Sequence, residues 1–410
     1  MAGNKKKPEA TTKISDEIMR MPAAQKPAAT ELAPSAQNRS ASRDLTGRIP
    51  ELDGFRAIAV WMVLVFHLTW GWPLPNGALD ALPAPLLFII AKGWLGVDLF
   101  FVLSGLLITG ILLDSKEKPH YFRTFYGRRF LRIIPLYFAV IAVCFAAYRQ
   151  PAGYFVLSFC FLANFASAFR VATPHGPGVF WSLAVEEHFY LAWPLMVRFL
   201  SRRRLAVVCL VIFCGSAVLR GVAVAHGMDP EIEVYPRSWF RFDGLALGAL
   251  LAIFVRSRYC SRRTSLGMAG LMLFLSLLIV AAGAPFGVLG TKTVASTAVR
   301  YTHMQLLFGS GILTALTLSG SRLTAFLRMP FMRVSSDLSY CIYLIHLSVG
   351  DGYHWLLSAL KIDVAAAFGP RGAWLAQFIM VLGVTFGLAF LSKKYLEDPC
   401  LRLKRYFRYS

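Results

Sequence analysis

Charge is scarce in this sequence. Only 16% of its 410 residues are Asp, Glu, Lys or Arg, where an ordinary soluble domain carries about 25%. The shortage argues against a cytosolic globule, and the 56% of apolar residues excludes a disordered chain. Acidic residues are fewer still, 22 against 43 basic, for a net charge of +21. No CxxC pair is present, and the seven cysteines (Cys144, Cys160, Cys209, Cys214, Cys260, Cys341, Cys400) lie mostly inside apolar runs. That leaves neither a disulfide framework nor a zinc site. There is no GxSxG turn, no HExxH and no GxxxxGK loop, so a hydrolase nucleophile elbow, a zincin-type centre and a nucleotide phosphate loop are unsupported. No His/Cys/carboxylate spacing suits a bound metal either. Internal repeats and long polar stretches beyond residue 49 are also missing, which leaves no room for a large soluble domain.

What the chain has instead is a series of hydrocarbon-length runs, with a mean hydropathy of +0.55. Residues 1–49 stand apart: rich in Ala, Pro, Ser, Thr and Lys and nearly devoid of large apolar side chains, they read as a disordered basic tail without the apolar core of a signal peptide. Ten apolar stretches follow, at roughly 55–72, 86–112, 131–149, 180–198, 205–224, 238–255, 266–284, 298–318, 338–358 and 373–392. Each is long enough to cross a ~30 Å hydrocarbon core as a helix. The patch 153–169 is the awkward one, and reads as an interfacial or re-entrant helix. With ten spans and a cytoplasmic amino terminus, 32 of the 43 basic residues fall in cytoplasmic segments and about six in outer loops, as the positive-inside rule requires. The net charge thus reflects membrane topology and not a nucleic-acid surface. The expected fold is an all-α polytopic integral membrane protein of the inner membrane, with about ten transmembrane helices and both termini cytoplasmic. Residues 50–400 form its membrane domain and 401–410 a short basic tail.

Ionisable groups inside such spans are expensive, at least ~2.5–3.5 kcal/mol near a helix centre, so they mark candidate sites. Arg56 and His67 are eleven residues apart in the first run and share a helix face across ~16.5 Å of rise. Histidine is the natural general base near neutral pH; the plainer alternative is a histidine hydrogen-bonded to a neighbouring helix. In the second run Ser104, Gly105 and Gly110 read as close helix packing, while Asp98 either pairs with a basic neighbour or belongs to a site. Arg132 with either Arg128 or Arg129 makes a pair three or four residues apart, suited to gripping phosphate oxygens. Contact with lipid headgroups is the alternative. The fourth run opens with Trp181, Ser182, Glu186, Glu187 and His188; two adjacent carboxylates close to hydrocarbon look like a site, with Glu186 and Tyr190 sharing a face. Arg241 and Asp243 open the sixth run, and Tyr343 and His346 lie one turn apart in the ninth.

Six segments in order resemble the membrane acyltransferase 3 family, the integral-membrane O-acyltransferases of bacterial surface glycans. They are LDGxRAxAV…H (Leu52 to His67), GVDxFFVLSGxLI (Gly96 to Ile108), RRxLRIxPLY (Arg128 to Tyr137), WSLxVEExFY (Trp181 to Tyr190), RxDGLxxG (Arg241 to Gly248) and SYxxYLIH (Ser339 to His346). The resemblance spans residues 49 to about 400 and, with the chain stopping at Ser410, is to the short, membrane-only form. His188 departs from the pattern, where Gln or another polar residue is expected. The resemblance implies transfer of an acyl group, acetyl by default, from cytoplasmic acyl-CoA to a hydroxyl of a periplasmic or cell-surface carbohydrate. It implies catalytic roles for His67, Arg56 and Glu186 and a donor-holding role for Arg128, Arg129 and Arg132. Trp181, Ser182, Glu187, Arg241, Asp243 and His346 are the candidate acceptor contacts, with no metal.

The chemistry of the residues agrees. Coenzyme A is a polyphosphate with a long pantetheine arm, so arginines at a cytoplasmic mouth and a histidine roughly 15 Å deeper match its shape. Its thioester is already activated, leaving a hydroxyl proton to be removed by a neutral His67 or a transient acyl-histidine to be formed. Arg56, ~16.5 Å from His67 along the helix, belongs to the donor's path and not to the oxyanion. A transporter or flippase is the rival reading, since carriers also place polar groups near the midplane, but the inverted repeats of many carriers are not visible. Lipopolysaccharide, exopolysaccharide, a lipo-oligosaccharide, peptidoglycan and a small metabolite all remain open as acceptors.

Overall fold

The computed structural model describes residues 47–148, 151–288 and 293–408. The expected disordered tail, except its last three residues, and residues 409–410 of the carboxy-terminal tail lie outside the described residues. Every regular element among the described residues is helical. In chain order these are α1 (Pro50–Trp70), the short α2 (Ala84–Ala91), α3 (Gly96–Ser115), α4 (Tyr121–Tyr148), the short α5 (Ala152–Phe159), α6 (Phe180–Phe199) and α7 (Arg202–Ala225). Then come α8 (Phe242–Val255), α9 (Arg262–Gly283), α10 (Val294–Thr317), α11 (Pro330–Ala359), α12 (Val364–Ser392) and the short α13 (Asp398–Arg402). Helix starts are written in the sequence. Prolines open α1 and α11, where the missing N–H costs nothing. The side chains of Ser201, Ser261, Thr293 and Asp363 accept from first-turn N–H groups of α7, α9, α10 and α12, satisfying donors that the helix leaves orphaned.

All ten apolar stretches fall on helices. Among the described residues, six helices are by length and composition long and apolar enough to cross a membrane, or seven if α10 is joined to the turn Arg322–Arg328 that bends 107° from it. The remainder fail for a physical reason: α8 has only 14 residues, while α6 holds Glu186 and Glu187 and α11 holds Arg333, Asp337 and Asp351. The patch 153–169 becomes the eight-residue α5 and a following turn; ~12 Å of rise cannot span a bilayer.

Helix α3 is the axis of the bundle. Its most apolar window is 83% buried, against 17% for α9. It packs on α8 backbone to backbone: a Cβ on Gly105 would lie 2.0 Å from the Leu245 carbonyl oxygen, and one on Gly248 2.1 Å from that of Val102. Only glycine permits that approach, as expected for Gly105. Beneath the contact lies a charge network with no solvent exposure. Arg241 donates to Asp98 at 2.9 Å, Arg220 of α7 donates to Asp243 at 2.6 Å, and the Gln305 amide bridges both carboxylates at 3.1 and 2.9 Å. Arg220 also donates to the carbonyls of Phe240, Thr297 and Ala298, and the Arg241 guanidinium sits 3.9 Å over the Tyr301 ring.

At the other end of α1, Asp351 of α11 gathers a clasp. Its carboxylate accepts from Trp72 Nε1 at 2.8 Å, His175 Nδ1 at 2.6 Å, the Gly176 amide at 2.9 Å and the Tyr148 hydroxyl. The loop before α6 is thereby pinned to the ends of α1, α4 and α11.

Two outcomes follow. Asp243→Ala leaves Arg220 charged in a dry interior, and removing one partner of such a pair costs about 3–5 kcal/mol; thermal melting of the purified protein should fall sharply, and an unchanged melting temperature would show the pair to be dispensable. Hydrogen bonding to Asp351 raises His175 above the usual histidine value. Its contribution is therefore complete below the unfolded value of about 6.5 and lost as pH rises through the raised value. The melting-temperature gap between wild type and His175→Ala should be widest in mild acid and shrink on the alkaline side of about 6.5; a gap that widens with pH would contradict the clasp.

Candidate active site

A cavity of ≈340 Å³ opens among α1, α3, α4, α6 and α11. At one end its wall is cationic, formed by Arg56, Arg129 and Arg132; at the other it reaches Ser182, Tyr343 and Leu344. Between them the wall is mostly apolar, interrupted by Ser104, Glu186 and Tyr190. A single helical period explains most of these positions. Arg129, Arg132 and Ile133 follow one face of α4, and Ser182, Leu183, Glu186 and Tyr190 one face of α6.

The cationic end is closed by the residues after α12. Glu397, nearly fully buried, lies 3.8 Å from Arg132. The carbonyls of Phe407 and Arg408 accept from Arg128 Nε at 2.7 Å and Thr124 Oγ1 at 3.1 Å. Lys404 comes within electrostatic reach of Arg132, Arg129 and Arg128. With Arg56, Arg128, Arg129, Arg132 and Lys404 gathered here, the mouth is strongly cationic. Of the three arginines read from the sequence, Arg129 and Arg132 enter the cavity wall, whereas Arg128 is exposed and holds the carboxy-terminal segment. Arg128 and Arg129 point ~100° apart on the helix, so only one of them can line the cavity.

Further in, Arg129 stacks 4.0 Å over the Tyr190 ring, the Tyr190 hydroxyl bonds Ser104, and Glu186 is hydrogen-bonded to both Ser104 and Tyr190. Ser104, read from the sequence as packing together with Gly105 and Gly110, belongs to this chain of polar groups. Glu187 points away from the cavity, one carboxylate oxygen buried without a partner. At the far end Ser182 Oγ and Tyr343 OH are 2.5 Å apart. One turn beyond Tyr343, His346 Nε2 lies 2.9 Å from His67 Nδ1.

The structure therefore brings together Arg56, Arg129, Arg132, Ser182 and Glu186 around one cavity, with His67 and His346 paired beyond its inner end. It does not bring Arg241 and Asp243 there. Both are locked in the buried network around α3, because each finds its counter-charge on another helix, in Asp98 and Arg220. Trp181 likewise leaves the cavity to pack on Tyr235, ring centroids 4.6 Å apart, in the aromatic shell around Arg241. His188 bonds Ser238 at 2.6 Å, away from the cavity. Arg220, His175 and Asp351 were not singled out, since their side-chain partners lie 23 to 279 positions away and no local period marks them.

Comparison with known proteins places this architecture. The chain is similar to the peptidoglycan O-acetyltransferase OatA of Listeria monocytogenes serovar 1/2a, 29% identical over 383 residues that make up 86% of this chain and 55% of the relative. It is 34% identical over 238 residues to the putative peptidoglycan O-acetyltransferase YrhL of Bacillus subtilis strain 168 (52% of this chain, 35% of the relative). It is 29% identical over 228 residues to the O-acetyltransferase OatA of Staphylococcus aureus strain NCTC 8325 (50% and 34%). The chain thus spans about half the length, or less, of these relatives. No solved structure gives a significant match. The acyltransferase-domain family model covers residues 49–393, nearly all of the helical bundle, and the chain belongs to the acyltransferase 3 family.

Proposed function

We propose that this protein moves an acetyl group from acetyl-CoA, bound at the arginine mouth, to a hydroxyl of a carbohydrate at the opposite membrane face. The observation that carries the reading is the cavity itself. It begins at Arg56, Arg129 and Arg132, ends at Tyr343 one turn before the paired His67 and His346, and is mostly apolar between. Guanidinium groups bind phosphate oxygens in a fixed fork, and an apolar wall suits the pantetheine arm. The names of the relatives favour a cell-wall glycan as acceptor, and the basic segments favour a cytoplasmic mouth.

In this reading the acceptor oxygen attacks the thioester carbonyl while His67 takes its proton. The acyl–oxygen bond forms, the acyl–sulfur bond breaks, and the proton passes from His67 to the departing sulfur. Ser182 and Tyr343, hydroxyls at the inner end of the cavity, are the nearest donors for the developing oxyanion. Arg129, Glu186, Tyr190 and Ser104 hold the passage in shape.

His67→Ala is expected to lower transfer about 10²–10⁴-fold, the usual worth of a positioned acid–base group. Ester-linked acetate on surface glycans, measured by mass spectrometry before and after mild alkali, checks this; undiminished acetate with His67→Ala removes the histidine from the chemistry. Arg129→Ala and Arg132→Ala should each raise the KM for acetyl-CoA about 10- to 100-fold, from ~1.5–3 kcal/mol per charged hydrogen bond. Titrating membranes with acetyl-CoA measures it, and an unchanged KM would move the donor elsewhere.

A further inference from the structure

We infer that His346 is a positioning residue that fixes which nitrogen of His67 carries the proton, leaving His67 Nε2 as the atom that receives the acceptor's proton. The inference rests on the proposed acetyl transfer for its chemistry, but its geometry stands apart. His346 is 1% exposed. Its Nδ1 lies 2.9 Å from the Tyr343 carbonyl and 3.1 Å from that of Ile342. A carbonyl oxygen can only accept, so Nδ1 carries the hydrogen. In a neutral imidazole the other nitrogen is then a bare acceptor, and this Nε2 faces His67 Nδ1 at 2.9 Å. His67 Nδ1 must therefore be the donor, and its own lone pair lies on Nε2.

The alternative would make His346 an imidazolium that donates from both nitrogens, which would put the His67 hydrogen on Nε2 and abolish the base. That requires a buried cation, and the partners recorded for His346 are two backbone carbonyls and His67. Burying an unpaired charge costs far more than burying a neutral ring. The ring is also anchored within its own helix, to carbonyls three and four residues back, so its aim does not depend on a ligand. When His67 takes the acceptor's proton, its Nδ1–H bond to His346 becomes charge-assisted and stronger. A neutral histidine thus does for His67 what a carboxylate does elsewhere for a catalytic histidine, without placing a negative charge beside an incoming oxyanion. The proton then leaves His67 Nε2 for the departing sulfur, so His346 ends the cycle unchanged.

Two readouts test this, and the first needs no activity. Nitrogen-15 spectra of the full-length, histidine-labelled protein in bilayers, with His67 identified by its loss in His67→Gln, should show His67 protonated at Nδ1 in the wild type and at Nε2 in His346→Leu. A wild-type His67 protonated at Nε2 overturns the inference, whether or not the protein is an acetyltransferase. In the second, native membranes are given radiolabelled acetyl-CoA. His346→Leu should lower kcat about 10²–10⁴-fold with the KM for acetyl-CoA unchanged. His346→Gln, whose amide oxygen can accept from His67 Nδ1–H, should recover most of the rate. Equal losses in Leu and Gln, or a loss confined to KM, would mean that His346 acts only by filling space. Absence of labelled product from the wild type itself would count against the transferase reading and leave the spectral result standing.

Discussion

Charge cannot be left unpaired in a bundle surrounded by hydrocarbon, and the protein meets this constraint at its centre. Arg241 with Asp98 and Arg220 with Asp243 are joined by Gln305, all within the core around α3. Each charge alone would be costly to bury; together they pair as ions and tie α3, α7, α8 and α10 into a fixed frame. The glycine contacts of α3 with α8 bring the backbones close enough for the network to close. Helix α9 lies at the periphery, its apolar face mostly exposed, and packs on α10, where Ser276 donates to the His303 carbonyl at 2.7 Å and Ser310 to the Ala269 carbonyl at 2.8 Å. The arrangement frees the opposite flank of α3, where Phe100, Leu103, Ser104, Leu107 and Ile111 form the cavity wall.

Two helices then measure out the site. Helix α1 places Arg56 at the cationic mouth and His67 three turns further on, so one rigid rod sets the distance between the two. Helix α11 contributes Tyr343 at the end of the cavity and His346 one turn later. The clasp on Asp351 joins the carboxy-terminal ends of α1 and α4 to α11 and to the loop that precedes α6.

Much of this was legible in the sequence, for identifiable reasons. Bilayer thickness dictates run length, so the long apolar helices announced themselves, although only six or seven of the ten expected spans are long and apolar enough among the described residues. Helical period put Arg132 with either Arg128 or Arg129, and Arg56 with His67, on common faces; Arg56, Arg129 and Arg132 line the cavity wall. What could not be read were partners set by tertiary packing. Arg220 looked like one more residue in an apolar run until Asp243 met it. Arg241 and Asp243, two apart at a helix start, looked like substrate contacts because each one's real counter-charge lies on a distant helix, Asp98 being 143 positions from Arg241. Ser104 was hidden by its small neighbours. The 2.9 Å contact between His67 and His346 joins residues 279 positions apart, and neither motif alone announced the other.

The central claim is directional: donor at the arginine end, acceptor at the histidine end. Sealed vesicles holding the purified protein in one orientation test it most directly, with acetyl-CoA confined to one side and the glycan acceptor to the other. Ester-linked acetate should form only when acetyl-CoA faces Arg129 and Arg132 and the acceptor faces the opposite side. Equal product in both arrangements, or relocation of an unmodified glycan with no ester at all, would contradict it.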